Sequence, residues 1–145
     1  MRAAAVPATL DEAEALGIGP GAPLFALERV RLLDGVPVAF DSSRVPLALA
    51  PSLVDVDFEN ASLYAELEAA GVMPARADYT VEAVAADARA AELLDVKPGA
   101  PLLVASQKTY DPDGRTIELA VITYRADRYR LRVSLMRPLF PKGER

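Results

Sequence analysis

Arg29 and Arg31 stand two residues apart in a run that otherwise reads as a strand, residues 24–33. A guanidinium is a planar fork whose donors match the oxygens of a carboxylate or a phosphate. Side chains alternate across a strand, so both arginines share a face with Phe25, Leu27 and Leu33. A partly apolar face with two cations is either open to solvent, with surface ion pairs to Asp41 or Glu28, or the wall of a cavity that clamps an anion. A buried guanidinium needs a partner, because an unpaired buried charge is very costly. Asp41 lies twelve residues after Arg29, on the return strand. It falls further along the sheet than Arg31, yet within reach of the same cavity.

A second hairpin offers Glu118 and Tyr124, six residues apart and so on one face, with Ala120 and Ile122 between them. A carboxylate and a phenol flanking small apolar residues can hydrogen-bond the hydroxyls of a ligand; Glu118 can equally pair with a neighbouring arginine. Ser62 and Tyr64 open a helix, whose free N–H groups and positive dipole end suit anions. Their alternative duties are capping for Ser62 and core packing for Tyr64.

These residues need a frame, and the punctuation of the chain supplies one. Residues 2–8 can form an edge strand. Thr9 and Glu12 make a capping box for a helix that ends at Gly17. A hairpin follows over residues 24–45, turned at Asp34-Gly35 and closed by Pro46. Residues 47–60 read as short helix or loop, residues 62–70 as a helix, and residues 75–86 as a strand. Asp87 caps a third helix through Leu94. A second hairpin spans residues 102–125 with its turn at Asp113-Gly114. Residues 128–135 alternate Tyr129, Leu131, Val133 and Leu135 with Arg128, Arg130, Arg132 and Ser134, the pattern of a half-exposed antiparallel strand. Hairpins dominate, so the fold class is α+β, a mainly antiparallel sheet flanked by helices.

One passage is written twice. "PGAPL" occupies residues 20–24 and again 98–102, each time between a helix and a hairpin. The repeated unit, helix–turn–hairpin, covers residues 9–46 and 87–124 and implies a pseudo-symmetric sheet. The first copy carries Arg29 and Arg31 where the second carries Gln107 and Thr109.

Composition excludes much. The 145 residues suit one domain and contain no Cys and no His. Thiol nucleophiles, disulfides, imidazole bases and the usual zinc, haem and iron–sulfur ligands are therefore out. A net charge of −5 is a poor footing for gripping nucleic acid. No 18-residue apolar run marks a membrane span, and Pro7, Asp11 and Glu12 interrupt any signal-peptide pattern. A soluble cytoplasmic domain is the expectation. No P-loop, G-x-S-x-G or G-x-G-x-x-G is present.

Three stretches in order, "LGIGPGAPLFALERVRLLDGVPVAFDSSRVP", "SLYAELEAAGV" and "IELAVITYRADRYRLRV", resemble the UTRA domain. That domain is the effector-binding part of the HutC/FarR-like branch of GntR-type bacterial transcription regulators. The resemblance runs from Arg2 to Pro138. It implies a chorismate-lyase-like fold around a small-molecule site, with no cofactor and no catalysis. It further implies that Arg29 and Arg31 take the effector's acidic group, and that Asp41, Ser62, Tyr64, Glu118 and Tyr124 complete the site. The effector would be a sugar phosphate, an amino acid or an organic acid. The expected assembly is a homodimer, for which an edge strand such as residues 128–135 can serve. DNA would be read only through a separate N-terminal winged helix-turn-helix domain, which is not among these residues; residues 1–145 are expected to be a single effector-binding domain. An enzyme on the same fold, acting on chorismate or a similar dicarboxylate, and a ligand-free dimerisation module are the alternatives.

Overall fold

The computed structural model describes residues 1–137. Its elements run β1 (Arg2–Pro7), α1 (Leu10–Leu16), β2 (Pro23–Leu33), β3 (Val36–Pro46), two short 3-10 helices (Leu47–Leu49 and Pro51–Asp55), α2 (Leu63–Ala69), β4 (Arg76–Ala85), α3 (Ala88–Leu94), β5 (Pro101–Tyr110) and β6 (Thr116–Arg125). All six strands join one antiparallel sheet in the order β1-β2-β3-β6-β5-β4. The α+β expectation holds.

The element boundaries follow from local chemistry. The Thr9 hydroxyl accepts from the Glu12 amide and the Glu12 carboxylate accepts from the Thr9 amide, completing the capping box of α1. Ser62 and Asp87 cap α2 and α3 through the amides of Ala65 and Ala90. Asp34 and Gly35 both take positive φ at the β2–β3 turn, as a tight hairpin with right-handed strand twist requires.

The strand order is a pseudo-twofold: β1-β2-β3 on one side of the β3–β6 seam, and β4-β5-β6 mirrored on the other. The repeated "PGAPL" is the helix-to-strand turn of each half. Gly21 and Gly99 sit in it at φ 76° and 85°, where a Cβ would be strained. The halves share a further device. Leu32 faces Pro37 but Arg31 faces Ala39, so Val38 is an extra residue on β3. Tyr110 faces Thr116 but Thr109 faces Glu118, so Ile117 is an extra residue on β6. Each hairpin therefore carries a β-bulge at an equivalent place, and a one-residue shift moves every later side chain to the other face.

The sheet is covered on both faces. Helices α1 and α3 pack small apolar side chains on one face: Ala13 and Leu16 against Leu24, and Ala90, Ala91 and Leu94 against Leu102. On the other face the 3-10 segment and α2 bury Leu53, Phe58, Leu63 and Leu67 over Phe25, Leu27, Val45 and Ile117. The Phe25 and Phe58 rings tilt together with centroids 5.3 Å apart. This second cover is short, and the sheet beyond its edge is left as the floor of a cavity.

One expected element is corrected. Residues 128–135 form no strand; after β6 the chain makes a turn, with the Arg128 amide donating to the Arg125 carbonyl, and no regular element follows through residue 137. The alternation is real, but no strand among the described residues pairs with this stretch, and a strand without a neighbour leaves its backbone groups to water.

A candidate ligand site under the second helix

A cavity of about 640 Å³ opens beside α2. Its floor is the bare part of the sheet, its far wall the segment Phe58–Tyr64 that leads into α2. Six of the seven residues singled out in the sequence line it: Arg29, Arg31, Asp41, Ser62, Tyr64 and Glu118. Ala120 and Ile122 lie on the floor between them.

Arg29 stands directly across from Asp41, and Asp41 directly across from Ile122. Without the bulge at Val38, Arg29 would face Phe40, and Asp41 would point to the opposite side of the sheet. With it, one carboxylate holds both arginines: Arg29 Nε lies 3.4 Å from Oδ1 and Arg31 Nε donates to Oδ2 at 2.6 Å. The Asp41 side chain is 4% exposed, against 28% for Arg29 and 52% for Arg31. The carboxylate is thus the buried member and the guanidinium groups reach outward from it. Each arginine spends Nε on Asp41; their terminal nitrogens meet no acceptor among the described residues. Two forks aligned by a shared buried anion can still donate to a third group.

The other end of the cavity is a neutral-donor network around a buried carboxylate. Tyr64 Oη donates to Glu118 Oε2 at 2.8 Å, and Thr109 Oγ1 donates to the same oxygen at 3.3 Å. Gln107 Nε2 donates to Tyr64 Oη at 2.7 Å and to Thr109 Oγ1 at 3.0 Å. Glu118 is 2% exposed and has no cation beside it among the described residues. Burial pushes the Tyr64 phenol above its ordinary value, and the nearby Glu118 charge adds to this. Tyr64 therefore stays protonated and stays a donor through neutral pH. The network also ties α2 to the sheet, since Tyr64 belongs to the helix and its partners to β5 and β6.

The bland reading of Ser62 holds as well: its hydroxyl accepts from the Ala65 amide at 3.4 Å while the residue lines the cavity. Tyr64 is not a core residue; it is 39% exposed. Tyr124 is the exception among the seven. It lies on the floor side of β6 but outside the cavity walls, stacked face to face on Tyr129 with centroids 3.7 Å apart.

Gln107 and Thr109 were not singled out as site residues. The signal was in the repeat. Aligning the two "PGAPL" passages sets Gln107 on Arg29 and Thr109 on Arg31, and each bulge brings a carboxylate of the return strand to that face: Asp41 directly across from Arg29 in one half, Glu118 directly across from Thr109 in the other. The two halves build related arrangements, a carboxylate held by two cations in one and by two hydroxyl groups in the other. Among the described residues no group of three or more acidic side chains converges as a metal site, and no helix is long and apolar enough to cross a membrane.

The UTRA domain family profile matches residues 1–130. The HTH-type transcriptional repressor PhnF of Mycolicibacterium smegmatis is 37% identical over 122 residues, 83% of this chain and 50% of that protein. The HTH-type transcriptional repressor NagR of Bacillus subtilis is 34% identical over 125 residues, 86% of this chain and 51% of that protein. The chain thus spans about half the length of the curated relatives it matches. Among solved structures, the effector domain of PhnF from Mycobacterium smegmatis superposes with a TM-score of 0.89 at 31% identity, covering 94% of this chain and 85% of that one. A GntR-family regulator from Enterococcus faecalis superposes with a TM-score of 0.85 at 26% identity, covering 93% and 97%. The architecture is the chorismate-lyase-like one, and the chain belongs to the UTRA domain family, the ligand-binding effector domain of GntR-type transcription regulators.

Proposed function

We propose that this domain senses a small anionic metabolite in the cavity beside α2, through Arg29, Arg31, Asp41, Ser62, Tyr64 and Glu118, with Gln107 and Thr109. The observation that carries this reading is the pair of guanidinium groups aligned by one buried carboxylate at the mouth of a cavity. Asp41 takes one nitrogen from each fork and leaves the terminal donors for a carboxylate or phosphate of the ligand. The Glu118 end then faces the uncharged or amine-bearing part of the same molecule. Sugar phosphates, amino acids and organic acids all have that bipolar character. Tyr124 stands outside this set, as a wall of the neighbouring aromatic cluster.

A ligand that binds one arrangement of α2 against the sheet better than another shifts the population of the two. Coupled to a separate winged-helix domain in a paired cytoplasmic regulator, that shift alters DNA binding by the same factor by which DNA alters ligand affinity. The domain acts as a sensor and not as a catalyst. The two carboxylates buried in the sheet floor are already engaged, Asp41 by two arginines and Glu118 by two hydroxyl donors.

A thermal-shift screen of the domain against sugar phosphates, amino acids and organic acids tests the reading. Stabilisation by one class, rising with concentration as mass action requires, supports it. No stabilisation by any of them contradicts it.

A further inference from the structure

The helix-covered face of the sheet has a cavity of its own, of about 390 Å³. Helix α1 covers Leu24 on one flank and α3 covers Leu102 on the other, and the cavity opens in the strip between them. Its floor is Val30 directly across from Phe40, with Leu93 of α3 beside them. Val30 is 38% exposed, and Phe40 and Leu93 are half-buried. The same two strands serve both cavities. Arg29 and Asp41 turn toward the first, and Val30 and Phe40, next in register, turn the other way.

The rim of this apolar floor is cationic. Arg44 is fully committed: its Nε lies 3.4 Å from Glu12 Oε2, its Nη2 lies 3.3 Å from Glu28 Oε1, and its Nη1 donates to Ser42 Oγ at 2.8 Å. It fixes Glu28 and offsets that carboxylate's charge. Arg89 is held loosely, with Nη2 3.8 Å from Glu28 Oε2, beyond hydrogen-bond length, and its side chain is 73% exposed. Arg2 stands directly across from Glu28 and belongs to no ion pair among the described residues. Three arginines against Glu12 and Glu28 leave a positive mouth on a chain whose net charge is −5. Such a local excess draws an anion. Ser42 is the one uncharged polar side chain of the lining, and its oxygen is already taken by Arg44. This cavity therefore lacks the hydroxyl and amide network that the first one has around Glu118, and it offers a ligand cations at one end and hydrocarbon at the other.

We propose that this second cavity binds a small organic acid with an apolar body. The acid group takes the donors of Arg2 and Arg89 at the mouth, and the body lies on Val30, Phe40 and Leu93. A volume of 390 Å³ falls at the small end of ligand sites, roughly 300–1,000 Å³, which suits a short acyl chain or a single ring. A polyhydroxylated ligand is disfavoured, because its hydroxyls would lose water and find no partner on the floor.

Methyl NMR of the whole chain, titrated with hexanoate, tests the site by position. The Leu93 methyl groups, which line this cavity and not the first, are expected to shift saturably. Hexanamide has nearly the same body without the charge and should bind at least about tenfold more weakly. The Arg2→Ala/Arg89→Ala variant should lose about tenfold in hexanoate affinity and, because both residues are exposed, keep its circular dichroism spectrum. A response confined to Leu63 and Ile122 would put the anion in the first cavity and overturn the proposal. So would hexanamide binding as tightly as hexanoate, wild-type affinity in the double variant, or no saturable shift at Leu93.

Discussion

The sharpest consequence of the arginine pair is that it should be non-additive. Arg29 and Arg31 share Asp41, whose side chain is 4% exposed. Replacing either arginine by alanine leaves the carboxylate one guanidinium. Arg31→Ala removes a 2.6 Å bond from a half-exposed side chain, and Arg29→Ala a longer, 3.4 Å contact from a less exposed one. Charge-assisted hydrogen bonds contribute about 1.5–3 kcal/mol when well buried and solvent-exposed ion pairs about 0–1, so each single change should cost about 1 kcal/mol. Removing both leaves a buried carboxylate with no cation, and orphaning one partner of a buried pair costs about 3–5 kcal/mol. The double variant should therefore lose on the order of 1–3 kcal/mol more than the sum of the singles. Urea denaturation of the four proteins, followed by circular dichroism with comparison of slopes, measures this directly. Single costs that add to within about 0.5 kcal/mol would show that Asp41 behaves as a solvated surface acid. The alignment argument would then fail.

Three further outcomes follow from named contacts. Tyr64→Phe removes the hydroxyl between Gln107 and Glu118; with Tyr64 partly exposed, the cost should be about 0.5–1 kcal/mol, and ligand affinity should fall because α2 loses its tie to the sheet. Unchanged affinity would place the network outside the binding event. Asp95 ends α3 in the left-handed conformation at φ 52°, the role glycine has at the end of α1, so Asp95→Gly should stabilise the fold by roughly 1 kcal/mol in thermal or urea melts, and a loss would contradict this. The phenols of Tyr64, Tyr79 and Tyr124 all sit above the ordinary value of 10.0, with Tyr79 pushed up to about 12 by burial and by its neighbours Tyr129 and Tyr124. Folded protein then holds these protons longer than unfolded chain does, so their contribution to stability is complete below pH 10 and is lost as pH rises towards 12. An ultraviolet titration of tyrosinate should lag in native protein behind the same titration in guanidinium; coincident curves would refute the cluster.

The elements were largely legible because their signals are local. The Thr9–Glu12 box, the Asp34-Gly35 turn and the Asp87 cap are each written within four residues, and the structure places helix and strand ends at those marks. The partnership of Asp41 with both arginines was not legible in the same way. It depends on one extra residue, Val38, which reverses the face of everything beyond it on β3, and no residue type announces that bulge. Gln107 and Thr109 were overlooked because an amide and a hydroxyl carry no charge to draw notice; their meaning is positional and comes from the second bulge, at Ile117. Residues 128–135 misled for the opposite reason. Period-two alternation reports that two faces see different surroundings, and it does not say which chain supplies them.

Calorimetric titration of the domain with whichever anionic metabolite stabilises it, repeated on Arg29→Ala and Arg31→Ala, bears most directly on the claim that this cavity is an anion-sensing site. The account predicts saturable one-site binding by wild type and an affinity at least about tenfold lower in each variant, the loss of about 1.4 kcal/mol expected for one charged hydrogen-bonding partner. Wild-type affinity in both variants would contradict it.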